Sequence, residues 1–246
     1  MNEKGNALFI LLITLATLGI LTYTVTRSGD SVSQNRDSET AYLEASDILK
    51  YAARLDSAIE RVRLSKGCKL IEMSFDHADR ANGGSAGYYV NANSPTDGSC
   101  DIFDENGGNA PYLTPPDLAV LVGGIEYNIM NNIEVNGMGD AGESELMMVT
   151  FVNEDTCFHL NNLSDVDNPS GSPPDFTATA SFLLPGATDE TYPDFGTNAD
   201  GFNTPDFEIG GSGGGEAPEL AAQTTGCFLA SASLNEYVFY HVLVKR

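Results

Sequence analysis

The chain has 246 residues, with 12 Lys or Arg against 35 Asp or Glu and a formal net charge of −23. Every basic residue lies in the first 80 positions or at Lys245 and Arg246; between Ala81 and Val244 stand 24 acidic residues and no Lys or Arg. Such a block repels polyanions, which excludes nucleic-acid binding. The length leaves room for one medium domain with a real core.

Met1-Asn2-Glu3-Lys4-Gly5 precedes twenty uncharged residues, Ala7 to Thr26. At about 1.5 Å per residue a helix of that length is roughly 30 Å long, the thickness of a bilayer core. A cleaved secretory signal needs a small-residue site, which Thr22, Tyr23, Thr24, Val25 and Thr26 do not offer. A plain anchor fits the length, although Glu3 opposes Lys4 and Asp30 opposes Arg27, so flanking charge sets little orientation. Ser28-Gly29-Asp30-Ser31 marks a hinge, and from Asp30 to Lys66 there is no Gly or Pro. Ala45, Ile48, Leu49, Ala52, Leu55, Ile59 and Val62 recur at steps of three and four, which predicts an amphipathic helix. Asp37 and Glu39 near its start and Arg61, Arg63 and Lys66 near its end follow the helix dipole, and Gly67 suits the position after the C-cap.

The leader ending Lys4-Gly5, the apolar run and the amphipathic continuation resemble the start of a type IV pilin or pseudopilin precursor. The resemblance implies cleavage between Gly5 and Asn6, an apolar helix that packs into a filament core, and a second half-helix laid across an antiparallel sheet. The first mature residue would be Asn6 rather than Phe or Met, and Ile10 stands where most pilins carry a glutamate. A minor or divergent subunit is therefore implied. The expected fold is α+β and pilin-like: a long N-terminal helix, half transmembrane and half amphipathic, packed on an antiparallel β-rich head with long loops and two disulfides. The divisions are a leader at 1–5, a transmembrane or filament-core helix at 6–27, an amphipathic helix at 28–67 and an acidic extracytoplasmic head at 68–246. The implied placement is an inner-membrane anchor with a periplasmic or extracellular head, or a cell-surface filament once processed. The implied partners are membrane lipid and other pilin-like subunits.

Cys68, Cys100, Cys157 and Cys227 are even in number and widely spaced, with no C-x-x-C, so two disulfides in an oxidising compartment are expected. Four cysteines allow three pairings, and proximity in sequence favours Cys68–Cys100 and Cys157–Cys227. Short strands are predicted at Ala86–Val90, Ala119–Val122, Leu146–Val152, Cys157–Leu160, Thr177–Leu184, Cys227–Ala230 and Tyr237–Val244. The last is apolar on both alternating sets, which predicts a central strand buried on both faces. Long loops run over Asn91–Pro116, Leu163–Asp175 and Gly186–Pro218, the last with a Gly210–Gly215 tract. The segments Ala92–Cys100 and Tyr240–Arg246 also look similar to uncharacterised, N-terminally anchored bacterial envelope proteins, which lend no activity.

Gly83-Gly84-Ser85-Ala86-Gly87 matches G-x-S-x-G, but a nucleophile elbow needs a buried strand before it, and polar Asp79-Arg80-Ala81-Asn82 precedes. His77, His159 and His241 lack zinc-site spacing, and His159 and His241 read as strand residues. Oxygen ligands for calcium are offered by Asp165 and Asp167, and by Asp200, Asp206 and Glu208, outside any EF-hand register. Otherwise no cofactor and no catalysis are expected. The function expected is a structural filament subunit with its head exposed for adhesion or assembly. The alternative is a non-polymerising anchored protein that binds a partner through its acidic loops.

Overall fold

The computed structural model describes residues 38–77, 91–112, 128–176, 205, 207–211, 217–231 and 236–245. The chain divides into two compact units, Met1–Ala41 and Tyr42–Arg246. Of the first, only residues 38–41 are described, as the opening turn of helix α1, which spans residues 38–66.

Within the second unit, α1 buries Ala45, Ile48, Ala52, Leu55, Ile59 and Val62 of the stripe read from the spacing, with Leu49 partly buried against the same core, together with Tyr51 and Ala58. Fully burying each large aliphatic contributes about 1.5–3 kcal/mol. Asp47, Lys50, Arg54, Glu60, Arg61, Arg63 and Lys66 remain exposed. Gly67, at φ +72°, ends the helix, and the Cys68 N–H donates to the Val62 carbonyl at 3.1 Å. A left-handed residue there lets the chain reverse without a Cβ clash.

Among the described residues five strands form one sheet: β1 Asn128–Val135, β2 Glu145–Val152, β3 Phe207–Ile209, β4 Thr225–Ser231 and β5 Glu236–Val244, in the order β3-β1-β2-β5-β4. A second helix, α2, spans Glu154–Leu163. One sheet face carries Leu146, Met148, Val152, Tyr237 and Phe239 into a core shared with α1 and with Cys157 and Leu160 of α2. The alternate residues Met147, Val149, Phe151, Val238 and Tyr240 form a second core with Phe176, Leu220 and Phe228. The strand over Tyr237–Val244 is interior and covered on both faces, as its two apolar sets predict.

The expected fold needs correction. The described helices are two, residues 38–66 and Glu154–Leu163, in place of one long helix on a β-rich head. The sheet is mixed, because β3 runs parallel to β1, pairing Ile133 with Phe207 and Val135 with Ile209. A strand reached by a long connection is free of the hairpin constraint that makes neighbours antiparallel. Cys157–Leu160, expected as a strand, is helical: the Asn153 side chain accepts from the Thr156 N–H at 2.8 Å, and Glu154 and Asp155 occupy the first turn. Four residues are too few to separate strand from helix by periodicity, and the cap decides it. The strands expected at Ala86–Val90, Ala119–Val122 and Thr177–Leu184 and the apolar run at 7–26 lie outside the described residues.

The inner-membrane placement is corrected as well. Among the described residues no helix is long and apolar enough to cross a membrane. Helix α1 has the length, but the charged side chains along its outer face make it a one-sided helix that needs a core on one side and water on the other.

At the β1–β2 end a carboxylate is buried between two irregularities in register, one between Met130 and Ile133 and one between Leu146 and Met147. Glu145 is fully buried; its Oε2 accepts from the Val135 N–H at 2.8 Å, and its Oε1 has no partner among the described residues. Burial, with Glu134 nearby, pushes its pKa up to about 7, against the downward pull of the Val135 bond. Below pH 4.5 both folded and unfolded chains hold this proton; from there to about 7 only the folded chain does. Stability therefore falls as pH rises through that window and levels off above it. Glu145→Gln keeps the acceptor for Val135 and carries no charge. Its urea denaturation at pH 8 is expected to show a gain of about 1–3 kcal/mol over the parent, shrinking toward pH 4.5. An unchanged difference across that range would remove Glu145 as the source.

Candidate functional site

A cleft of about 700 Å³ opens beside the Cys68–Cys100 disulfide, lined by Ser74, Asp76, His77, Asn91, Ser94, Asp101, Phe103, Asp104 and Glu105 among others. The chain leaves α1 at Gly67, makes a 3-10 turn over Leu70–Glu72, and lays Ser74 parallel to Asp101. The Ser74 N–H donates to the Cys100 carbonyl at 3.1 Å, and the Ile102 N–H donates to the Ser74 carbonyl at 2.9 Å. The disulfide and these two bonds fix the floor.

Asn91 fixes one wall. Its side-chain amide is buried and donates to the Ile71 and Met73 carbonyls at 2.6 and 2.7 Å, while its Oδ1 accepts from the Asn93 N–H at 2.9 Å. Asn91→Ala leaves these groups without partners and is expected to cost about 1–3 kcal/mol. Hydrogen exchange should quicken across residues 91–101 more than in β5, which separates a local effect from global loosening. The opposite wall turns tightly. Gly107 and Gly108 press against the Asp101 and Ile102 carbonyls, where a Cβ would collide, so the loop closes only with glycine at both positions.

Asp76, Asp101, Asp104 and Glu105 bring four carboxylates to this cleft, and among the described residues no Lys or Arg lines it. Burial holds the Asp101 pKa above the usual carboxylate range, although Ser94 Oγ donates to its Oδ1 at 2.9 Å and Ser74 also favours its charge. On the rim, Asp97 is held below that range by hydrogen bonds from Ser99, with a smaller pull from Lys66. The Cys68–Cys100 disulfide brings the cationic end of α1 beside the acidic cleft. His77 stacks on Tyr112 at 4.2 Å between ring centroids, and Phe103 meets both rings edge-on, so one wall is aromatic. Carboxylates with aromatic faces suit an ammonium or guanidinium group.

A second constellation joins residues far apart in sequence. His241 on β5 has Nε2 2.9 Å from Asp56 Oδ2 on α1 and Nδ1 2.6 Å from Thr225 Oγ1 on β4. Carboxylate, imidazole and hydroxyl stand in the order of a nucleophilic relay. Thr225 and His241 are directly opposed cross-strand partners, so the same bonds tie helix to sheet.

The pairings favoured by proximity are present, Cys68–Cys100 and Cys157–Cys227. Gly5, Asn6, Asp200, Asp206 and the Gly83–Gly87 motif lie outside the described residues. Asp165, at φ +59°, and Asp167 follow α2, while Glu208 on β3 accepts from Asn136 Nδ2 at 2.6 Å. The described residues contain no group of three or more His, Cys, Asp or Glu side chains placed to hold a metal ion. His159 sits on α2 instead of a strand, edge-on to Tyr42. The cleft residues from Asn91 to Glu105 escaped the sequence reading because they belong to a stretch expected as loop. The dense Asn, Asp, Ser and Gly turn chemistry from Asn91 to Gly108 was the signal that could have found them. No protein-family model, curated protein or solved structure matches this chain.

Proposed function

We propose that the chain acts by assembly rather than by catalysis, as a pilin-like structural subunit, minor or divergent, of a type IV pilus or related secretion filament. The observation that carries this reading is the segregation of charge. Cations are gathered on α1 and the turn after it, and the rest of the disulfide-stapled unit offers carboxylates almost without exception. A surface divided in this way is repelled by most of itself and attracted at one place, which favours a defined mode of association. The leader ending Lys4-Gly5 and the apolar run after it support the filament class. The test is the intact mass of the mature chain, with electron microscopy of sheared filaments. A start at Asn6 and incorporation into filaments are expected; a mature chain that retains Met1 sinks the reading.

The acidic, aromatic-walled cleft favours a second reading, a non-polymerising protein that captures a cationic group. Saturable calorimetric heat with a lysine- or arginine-containing peptide, from a chain that sediments as a monomer, would favour it over the first.

A further inference from the structure

We propose that the cationic end of α1 docks into the acidic cleft of a second copy of this chain. Arg61, Arg63, Lys66 and Lys69 are exposed around the last turn of α1 and the residues after it. Leu64 projects among them at 80% exposure, the most exposed large apolar side chain described. Arg63 is engaged locally, its guanidinium 3.3 Å from Glu60. An apolar anchor ringed by charge is the pattern of a contact whose centre is desolvated and whose rim sets orientation.

The matching surface is on the same molecule. The cleft has the volume to admit a leucine side chain, an aromatic wall from Phe103 and His77 to receive it, and the carboxylates of Asp76, Asp104 and Glu105 to meet the flanking ammonium groups. Among the described residues no Lys or Arg lines it, so the described lining carries an excess of negative charge. The disulfide joins Cys68, two residues beyond the end of α1, to Cys100, the neighbour of Asp101, so the two patches adjoin. Adjoining complementary patches form a self-complementary surface, in which each copy offers its helix end and receives its partner's. Net charge of −23 opposes the approach of two copies, and this local pairing acts against that repulsion. Salt would weaken the pairing and relieve the repulsion together. Charge exchange is therefore the discriminating experiment.

The inference deepens the assembly reading and rests on it for the premise that copies associate. Sedimentation velocity of the full chain would compare the parent with Lys66→Glu/Lys69→Glu, with Glu105→Lys and with Leu64→Ser, all at exposed positions, with circular dichroism to confirm the fold. Each variant is expected to weaken self-association about tenfold or more. Mixing Lys66→Glu/Lys69→Glu with Glu105→Lys is expected to restore pairing, because each altered surface then faces its opposite charge. If the parent associates and the variants match it, or if mixing restores nothing, the docking surface is wrong while the assembly reading stands. A parent that stays monomeric at all concentrations overturns both.

Discussion

Asn161→Ala should lower the stability of the second unit by about 2–5 kcal/mol, because two buried backbone groups lose their partners at once. Asn161 is fully buried on α2. Its Oδ1 accepts from the Cys227 N–H at 2.8 Å, and its Nδ2 donates to the Cys227 carbonyl at 2.9 Å and to Asn168 Oδ1 at 2.9 Å. One primary amide thus completes the ladder on the outer side of β4, where a further strand would otherwise be needed. Next along the same edge, the Leu229 N–H donates to the Pro174 carbonyl and the Leu229 carbonyl accepts from the Phe176 N–H. A sheet edge satisfied in this way no longer offers its donors and acceptors to another chain. Thermal unfolding should move down by about 2–4 °C for each kcal/mol lost. Asn161→Asp should fail as a rescue, since it keeps an acceptor but removes the donor and buries a charge. A fall below 1 kcal/mol would show that Cys227 finds other partners.

Removing the Cys157–Cys227 disulfide as a Cys157→Ala/Cys227→Ala pair should cost about 2–5 kcal/mol. The closed loop spans a sequence separation of 70, which places it toward the upper part of that range in the chain-entropy view. Cys157 and Asn161 are one helical turn apart on α2, and both reach Cys227, one covalently and one through its peptide groups. The two losses should therefore not add. With the disulfide gone α2 is freer to leave the sheet, and Asn161→Ala should then cost less by 0.5 kcal/mol or more than in the parent, roughly the scale seen for residues in contact. Equilibrium denaturation of the four-member cycle reads the coupling directly. Strict additivity would mean that α2 is held by its apolar residues Cys157 and Leu160 with no cooperation from the polar seam.

Helix α1 was legible because its apolar stripe repeats seven times over eighteen residues without a Gly or Pro, and only a helix brings those positions to one face. β5 was legible for the opposite reason, being apolar on both alternating sets over Tyr237–Val244. β1 was not. Asn128, Asn131 and Asn132 carry turn chemistry, yet Asn131 and Asn132 are buried where the register with β2 shifts between Met130 and Ile133. β3 contributes three residues, too few for any period, and owes its place to β1. The cleft was hidden for a related reason: most of its residues are polar and lie in an expected loop, and a disulfide, one buried amide and two glycines turn that loop into a shaped surface against Ser74, Asp76 and His77.

By itself the sequence determined the placement of charge, the amphipathic helix and the interior strand, since each is a property of composition or local period, while proximity only favoured the disulfide pairing that the structure shows. The tertiary structure decided which way β3 runs, that α2 is a helix clasping the sheet edge, that Glu145 is buried between two register shifts, and that Asp56, Thr225 and His241 meet. Those outcomes depend on which distant groups share the cost of leaving water, and that cost is settled only when the chain has chosen its neighbours.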